Sequence, residues 1–421
     1  MSDPGRCVAA IDFGTSNSAV CLINDGHAFV VPLEHGHETI PTAVFYNAEE
    51  GVTVFGRQAL SQYEDGTAGR IMRSLKSLLG SELLRETTLV NGRSISYRHI
   101  LREFLTHLRD VAESHASCRL DELVLGRPVH FVDDDPERDQ QAETTLEEVA
   151  KEIGFEKVHF QYEPIAAALD LEASLDRDEL ALVVDIGGGT SDFSLVRLGP
   201  ARAGNPDRSR DVLGNSGIHV AGTDFDQRLS LSTVMRHLGY GAEGKEGRPV
   251  PGTIYFELAT WHKINFLYSF KEQSRAEELK YFLADEHLHN RLMAVLRGRH
   301  GHRIAAHVES AKIAVAEGGE GSIDLRFIEK GLSVPVSEDA LLTAIAPLLE
   351  CIVRSALDTV AGAGMTAEQV TILYFTGGST GIRQLRERLQ QAFPGSRIVA
   401  GDKFASVVRG LGISALTRFA A

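Results

Sequence analysis

Ala181-Leu182-Val183-Val184-Asp185-Ile186-Gly187-Gly188-Gly189-Thr190-Ser191-Asp192-Phe193 is the stretch from which the fold is read. An unbroken apolar run reads as a buried strand, and this one ends on an aspartate followed by three glycines. Glycines remove side chains where backbone N–H groups must approach another group closely. A row of such donors is an anion nest, and phosphate suits it well. Three glycines alone fit a glycine-rich hairpin turn equally well. The N-terminus decides between the two readings. Val8 to Ile23 repeats the frame as apolar run, Asp12, apolar residue, Gly14, Thr15, Ser16, Asn17, apolar run. The repetition is a duplication of a supersecondary unit and predicts a ligand held between two related domains.

Composition sets outer limits. A chain of 421 residues exceeds one ordinary core, so two or three domains are expected. Hydrophobic content of 43% and charged content of 24% are those of a folded globular protein. A net charge of −15 argues against nucleic acid or an anionic membrane as the principal partner. Cys7, Cys21, Cys118 and Cys351 form no C-x-x-C pair, so buried thiols in a reducing compartment are expected. His35/His37, His287/His289 and His300/His302 lack partners at zinc spacing and read as loop or surface histidines. No secretory signal is visible, and no run approaches the roughly 18 apolar residues of a membrane span. A cytoplasmic location is the expectation.

Further along, Ala28 to Leu33 reads as a third strand, and Ile71 to Gly80 as a basic segment stopped by glycine. Tyr97 to His115 is an amphipathic helix, with Ile100, Leu101, Phe104, Leu105, Leu108 and Val111 on one stripe. Leu120 to Val132 reads as a strand. Asp133, Asp134 and Asp135 precede Pro136 as the cap of a helix running to about Ile153. Val158 to Gln161 is a short strand leading into the helix that begins Glu163-Pro164-Ile165-Ala166-Ala167-Ala168. Glu172 to Glu179 is the candidate hinge, and residues 200–210 read as a flexible loop. Gly239 to Gly244 matches G-x-G-x-x-G but follows a helical stretch, so no dinucleotide site is expected there. Ile254 to Ala316 is mostly helical. Val370 to Phe375 is a buried strand emptying into Gly377-Gly378-Ser379-Thr380. That is a third glycine turn at a strand's C-terminal end, where α/β sheets bind ligands.

With these motifs in order, the chain resembles the actin-like ATPase superfamily, and within it the ATPase domain of DnaK-type (70-kilodalton heat-shock) chaperones. Gly126-Arg127-Pro128-Val129 and Phe160-Gln161-Tyr162-Glu163-Pro164 resemble the YegD-like putative chaperones. The resemblance implies an α/β fold of two ribonuclease-H-like lobes with nucleotide in the cleft between them. Lobe I would span residues 1–172 with an insert at about 35–95, and lobe II residues 173–395 with a helical insert at about 223–321. Residues 396–421 would return to lobe I, leaving no peptide-binding domain.

The resemblance also implies site roles and the cofactors ATP or ADP with Mg²⁺. Asp12 and Asp185 would hold Mg²⁺ from opposite walls, largely through water. Gly14, Thr15, Ser16 and Asn17 would wrap the phosphates from one side, and Gly187, Gly188, Gly189 and Thr190 from the other. Lys76 would position the attacking water, although its frame equally fits a helix-surface lysine. Glu163 would couple the nucleotide state to lobe rotation. Glu309 and Lys312 would reach the ribose, Gly377, Gly378 and Ser379 the adenosine, and Asp402 would close the site. Family members stack adenine between two arginines, but Ile313 and Gly381 occupy those positions here, with Ala316 at a third base contact. Lost stacking of roughly 0.5–2 kcal/mol per contact implies weaker ATP affinity or relaxed base selectivity. The activity expected is slow ATP hydrolysis by a switch protein with an unidentified protein client or co-chaperone. A non-hydrolysing regulator or scaffold, a filament-forming actin homologue and a sugar kinase are the alternatives on the same fold.

Overall fold

The structure, a computed structural model, describes residues 7–24, 26–132, 135–203, 205, 207–401 and 405–419. Two sheets carry the chain. In the first, strands run in the order Lys157–Tyr162, Leu120–Arg127, Cys7–Phe13, Asn17–Asn24 and His27–Val30, with Thr39–Pro41 added on Asn17–Asn24. In the second, the order is Arg397–Ala400, Ile372–Thr376, Glu179–Ile186, Ser191–Leu198 and Val212–Ile218. The two paths have the same sense at every step. Each has a central strand paired antiparallel to its hairpin partner and parallel to a later strand on its other edge. The duplication read from two acidic hairpins therefore extends to whole sheets, and this is the actin-like ATPase fold.

Strand alternation explains where the aspartates point. In the first strand Cys7, Ala9, Ile11 and Phe13 pack into one core, with the Tyr97–Ala116 and Pro136–Glu152 helices. Val8 and Ala10 face the other way, into a cluster with Ala166, Val408, Leu411 and Ala415. A period of two puts Asp12 on that second face. In Glu179–Ile186, Leu182, Val184 and Ile186 enter the large core of the second half, while Ala181 and Val183 pack with Ile165, Ala167 and Ala168. Asp185 follows Ala181 and Val183. The Glu163–Glu172 helix thus lies between the sheets, Ala166 on one and Ala167 and Ala168 on the other, and both aspartates face it.

Small residues set the spacing. The Ser406–Phe419 helix returns to the first sheet and crosses the Glu163–Glu172 helix at Gly410, where a Cβ would lie 1.7 Å from the Ala166 carbonyl oxygen. Residues 39–96 add a three-stranded sheet of Ala43–Asn47, Thr53–Phe55 and Gly69–Arg73, with the Gly56–Glu64 helix against it. Residues 253–316 add a mainly helical layer to the second half, ending in the Gly301–Ala316 helix.

Several expectations need correction. Cys7 and Cys118 form a disulfide, so only two of the four cysteines are thiols: Cys21 is buried and Cys351 exposed. Their sequence separation of 111 residues hid the pairing. Parallel pairing brings the start of the first strand beside Leu120, two residues beyond Cys118. His289 and His302 are buried rather than surface residues. The loop expected at 200–210 is anchored at Arg202 and Arg208, because Arg208 is buried against Glu172 at 2.8 Å and Asp211 at 2.5 Å, and Arg202 pairs with Asp211. Glu172, the first residue of the candidate hinge, is therefore a buried anchor. Glu338–Gly362 is long and apolar enough to cross a membrane by length and composition, contrary to the expectation that no run approaches that length. It buries Leu341, Ile345, Leu349, Ile352 and Ala356 in the core of the second half. Leu120–Arg127 ends before Pro128, and His27–Val30 is shorter than the strand expected there. Asp135 caps its helix by accepting from the Arg138 N–H, whereas Asp133 and Asp134 lie outside the described residues.

Gly410→Ala should lower the melting temperature by the equivalent of roughly 1–3 kcal/mol or more, because a backbone oxygen cannot rotate away. Gly362→Ala, in helix with open space around it, is the control and should be neutral or slightly stabilising. Thermal denaturation of both variants checks this, and equal melting points would contradict the crossing.

Candidate nucleotide and metal site

The two hairpin turns meet across the cleft. A Cβ on Gly188 would lie 3.3 Å from the Ser16 Oγ, which fixes how near the loops come. The first turn is held from below: the Thr42 Oγ1 donates to the Gly14 carbonyl at 2.8 Å, and the Thr42 N–H to the Ser16 carbonyl at 2.9 Å. The second turn closes on itself through the Gly187 N–H to the Thr190 carbonyl, 3.0 Å. Its outer carbonyls are occupied by the Ser379 Oγ on Gly187, at 2.9 Å, and by the Thr223 N–H and Oγ1 on Gly188, both at 2.8 Å. The N–H groups of Gly188 and Gly189 have no protein partner among the described residues, so they remain free to donate to an anion.

Gly377 shapes the floor. It follows Ile372–Thr376 with φ +84°, and a Cβ there would lie 2.4 Å from Asp185 Oδ1 and 2.5 Å from the Ile186 carbonyl. Only glycine fits both the left-handed backbone and that approach. Gly378, Ser379 and Gly381 continue as a short 3-10 turn beside the second hairpin, with Gly222 and Thr223 at the start of the Gly222–Ser232 helix against the same loop.

Lys76 sits on a 3-10 turn, Leu75–Leu78, entered through Ser74 at φ +55°. Its Nζ lies 2.5 Å from Glu163 Oε1 and is largely buried, so the surface-lysine alternative does not describe it. Burial opposes its charge, yet Glu163, Asp12 and Asp192 outweigh that and hold the ammonium above its ordinary value. The carboxylates feel the reverse. Burial, then Glu163 and Asp185, push Asp12 up to about 7 against the pull of Lys76. Burial, then Asp192 and Glu163, push Asp185 up to about 7. Four carboxylates therefore share one ammonium, and Asp192 also accepts from the Thr190 Oγ1 at 2.9 Å.

That excess of negative charge calls for a cation. The donors are all oxygens, and among the described residues no three acidic, histidine or cysteine side chains converge tightly enough to enclose a metal alone. A pair of carboxylates that does not enclose an ion fits Mg²⁺, which prefers oxygen and sheds its hydration shell reluctantly.

The distal residues fall into place differently. Lys312 is buried, its Nζ 2.9 Å from Asp226 Oδ1 and 3.3 Å from the Gly222 carbonyl, so it supports the start of the Gly222–Ser232 helix. Burial raises Asp226 to about 6 despite Lys312, with Glu309 and Asp224 adding to the rise. Glu309 is exposed on the same helix as Lys312, and Ile313 is 47% exposed beside it. Thr15, Ser16 and Asn17 are exposed at the rim. Asp402 lies outside the described residues. Asp192, Thr223 and Asp226 were missed as site residues. Their signal was present in Thr190-Ser191-Asp192 and Gly222-Thr223-Asp224-Phe225-Asp226, but nothing local ties a second loop to the first.

Raised aspartates carry a signed consequence. In the folded protein Asp12 and Asp185 hold protons that the unfolded chain has released above about 3.8. Their contribution to stability is full below that value and is lost as pH rises through about 7. Asp12→Asn and Asp185→Asn, measured with a chelator present, should raise the melting temperature more at pH 8 than at pH 5. An equal change at both would contradict the electrostatic frustration of the site.

A family model described as Hsp70 protein matches residues 8–237. The match takes in the first hairpin, the Lys76 turn, the Glu163–Glu172 helix, the second hairpin and the Gly222–Ser232 support. It covers more than half of the 421 residues. At the family level this is a nucleotide-binding, chaperone-type ATPase domain whose relatives use ATP or ADP with Mg²⁺. The chain belongs to the Hsp70 family.

Proposed function

We propose that the chain is an Mg-ATP-dependent switch of the YegD-like branch, slowly hydrolysing, that couples the state of its nucleotide to the angle between its two sheets. The observation that carries this reading is the convergence of Asp12, Glu163, Asp185 and Lys76 on one helix end beside the free Gly188 and Gly189 amides of the second hairpin. Mg²⁺ would be held by Asp12 and Asp185 through water, and it would neutralise phosphate charge when bound. Gly188 and Gly189 N–H groups would bind the phosphates. The Lys76 ammonium would face the terminal phosphate and help order a water, with Glu163 holding the lysine in place. Asp402 would close the site beyond these. Because Glu163 begins the helix between the sheets, a change in what Lys76 contacts reaches both sheets directly. A protein client or co-chaperone accords with the family and is part of the proposal.

The base end is where this chain departs from its relatives. Ile313 offers an exposed apolar side chain, and Ala316 and Gly381 offer no stacking plane. The arginines that follow are engaged elsewhere: Arg386 donates to the Thr380 carbonyl at 2.8 Å, and Arg383 pairs with Glu338 and Glu387. We expect ATP and GTP to bind with affinities within about tenfold of each other, the size of one to two lost stacking contacts. Calorimetric titration checks this, and adenine-exclusive binding contradicts it.

Hydrolysis has its own test. Lys76→Ala should lower single-turnover ATP hydrolysis by about 10²-fold or more while ADP still binds. Unchanged turnover would remove Lys76 from the chemistry. Nucleotide binding without any turnover in the unsubstituted protein would make the chain a non-hydrolysing regulator.

A further inference from the structure

The two insertions touch each other over the mouth of the cleft. From the first come Tyr63, on the Gly56–Glu64 helix, and Arg73, the last residue of the Gly69–Arg73 strand. From the second come Trp261 and Asn265, on the Trp261–Tyr268 turn, and His302, at the start of the Gly301–Ala316 helix. The Arg73 guanidinium carbon lies 3.9 Å from the centroid of the Trp261 ring. Tyr63 meets Trp261 at 5.9 Å and His302 at 5.2 Å, and Trp261 meets His302 edge-on at 5.1 Å. The Asn265 Nδ2 donates to the Tyr63 hydroxyl, and its Oδ1 lies 3.2 Å from His302 Nε2. The contacts of Arg73 and Tyr63 with Trp261, Asn265 and His302 cross between parts of the chain that share no sheet, while Trp261–His302 and Asn265–His302 lie within the second insertion.

Both sides of this contact lead straight into the nucleotide site. Arg73 precedes Lys76 by three residues on one continuous strand and turn. His302 and Lys312 belong to one helix, and Lys312 holds the Gly222 carbonyl behind the second phosphate loop. Separating the insertions therefore moves both jaws of the site. Closing them stacks the exposed Arg73 guanidinium on the half-buried Trp261 indole.

We propose that Trp261, Arg73, Tyr63, Asn265 and His302 form a proton-sensitive clasp that opens on acidification and speeds nucleotide release. This rests on the nucleotide reading of the cleft. His302 is buried, and its Nε2 faces the Asn265 oxygen as a donor, which makes the ring the neutral Nε2–H tautomer. Its Nδ1 is buried without a hydrogen-bond partner among the described residues, so a proton placed there finds no acceptor. The groups around it do not welcome a charge. Arg73 faces it from the strand, Tyr63 from the Gly56–Glu64 helix and Tyr268 from the Trp261–Tyr268 turn. Arg299, His300 and Arg303 flank it along its own chain segment. Burial, then Arg73, lower the ring to about 4 in the closed clasp, against 6.5 for an ordinary histidine. The closed form binds fewer protons, so closure is fully favoured above 6.5 and weakens as pH falls from there toward 4. Between pH 7.5 and pH 5.5 the balance shifts about tenfold toward the open form.

Trp261 is the only tryptophan of the chain, so its fluorescence reports the clasp without nucleotide. In the full chain, the emission should shift toward that of a solvated indole as pH falls from 7.5 to 5.5. Release of a fluorescent ADP from its Mg²⁺ complex should accelerate about tenfold over the same range. His302→Gln keeps a neutral donor for Asn265 and removes the titration, so both pH responses should disappear while emission at pH 7.5 is unchanged. Arg73→Ala should speed release at pH 7.5. An emission spectrum that does not change in the unsubstituted protein, or an acid response that persists in His302→Gln, overturns the clasp. A titrating spectrum in a protein that binds no nucleotide by calorimetry overturns the functional reading on which the gate depends.

Discussion

One short helix carries the constraint on which the rest depends. Glu163–Glu172 has Ala166 against the first sheet and Ala167 and Ala168 against the second, with Gly410 letting the C-terminal helix lie directly on its backbone. Two duplicated sheets packed on a common helix must point their equivalent strand faces at each other. Asp12 and Asp185 occupy equivalent places in those strands, so they meet, and the first residue of the helix adds Glu163. The repulsion among these carboxylates is built in by the topology. It is offset in part by Lys76, delivered from the first insertion, and the negative charge that is left suits a cation. Stability is given up at this point in return for a place where a metal and phosphates bind.

Much of this was legible in the chain. The two hairpins show as apolar runs ending in Asp and glycine, and the strand, glycine turn and helix from Val370 onward show equally plainly. The order of motifs carried the family likeness that the match over residues 8–237 now bears out. What stayed hidden is what depends on distant residues meeting. The Cys7–Cys118 bond joins residues with no local pattern, and parallel pairing of two strands separated by a long helix is what brings them together. Arg208 looked like part of a polar loop because Glu172, its partner, is 36 residues away. His302 and Trp261 each looked unremarkable alone, since an aromatic cluster formed across a cleft leaves no periodicity in either strand or helix. Thr223 and Asp226 were visible only as part of a helix start, and their support of the second hairpin needs the fold to be seen.

The chemistry is distributed unevenly along the cleft. At the phosphate end the backbone is fixed by Thr42, Thr223 and Ser379. At the end proposed to meet the base, Ile313, Ala316 and Gly381 supply little that would recognise one ring over another. Over the mouth, the two insertions hold each other through Arg73 and Trp261. On the proposed reading, binding energy is concentrated on phosphate and metal, and the time a nucleotide stays depends more on how the insertions separate than on grip at the base.

The central claim is that two aspartates on duplicated strands form one magnesium-dependent phosphate site. Equilibrium binding of ADP, measured with and without Mg²⁺ in the unsubstituted chain and in the Asp12→Asn and Asp185→Asn variants, tests it most directly. The account predicts that Mg²⁺ tightens ADP binding in the unsubstituted chain and that either substitution removes most of that gain. Binding that ignores Mg²⁺, or a gain that survives in both variants, would contradict it.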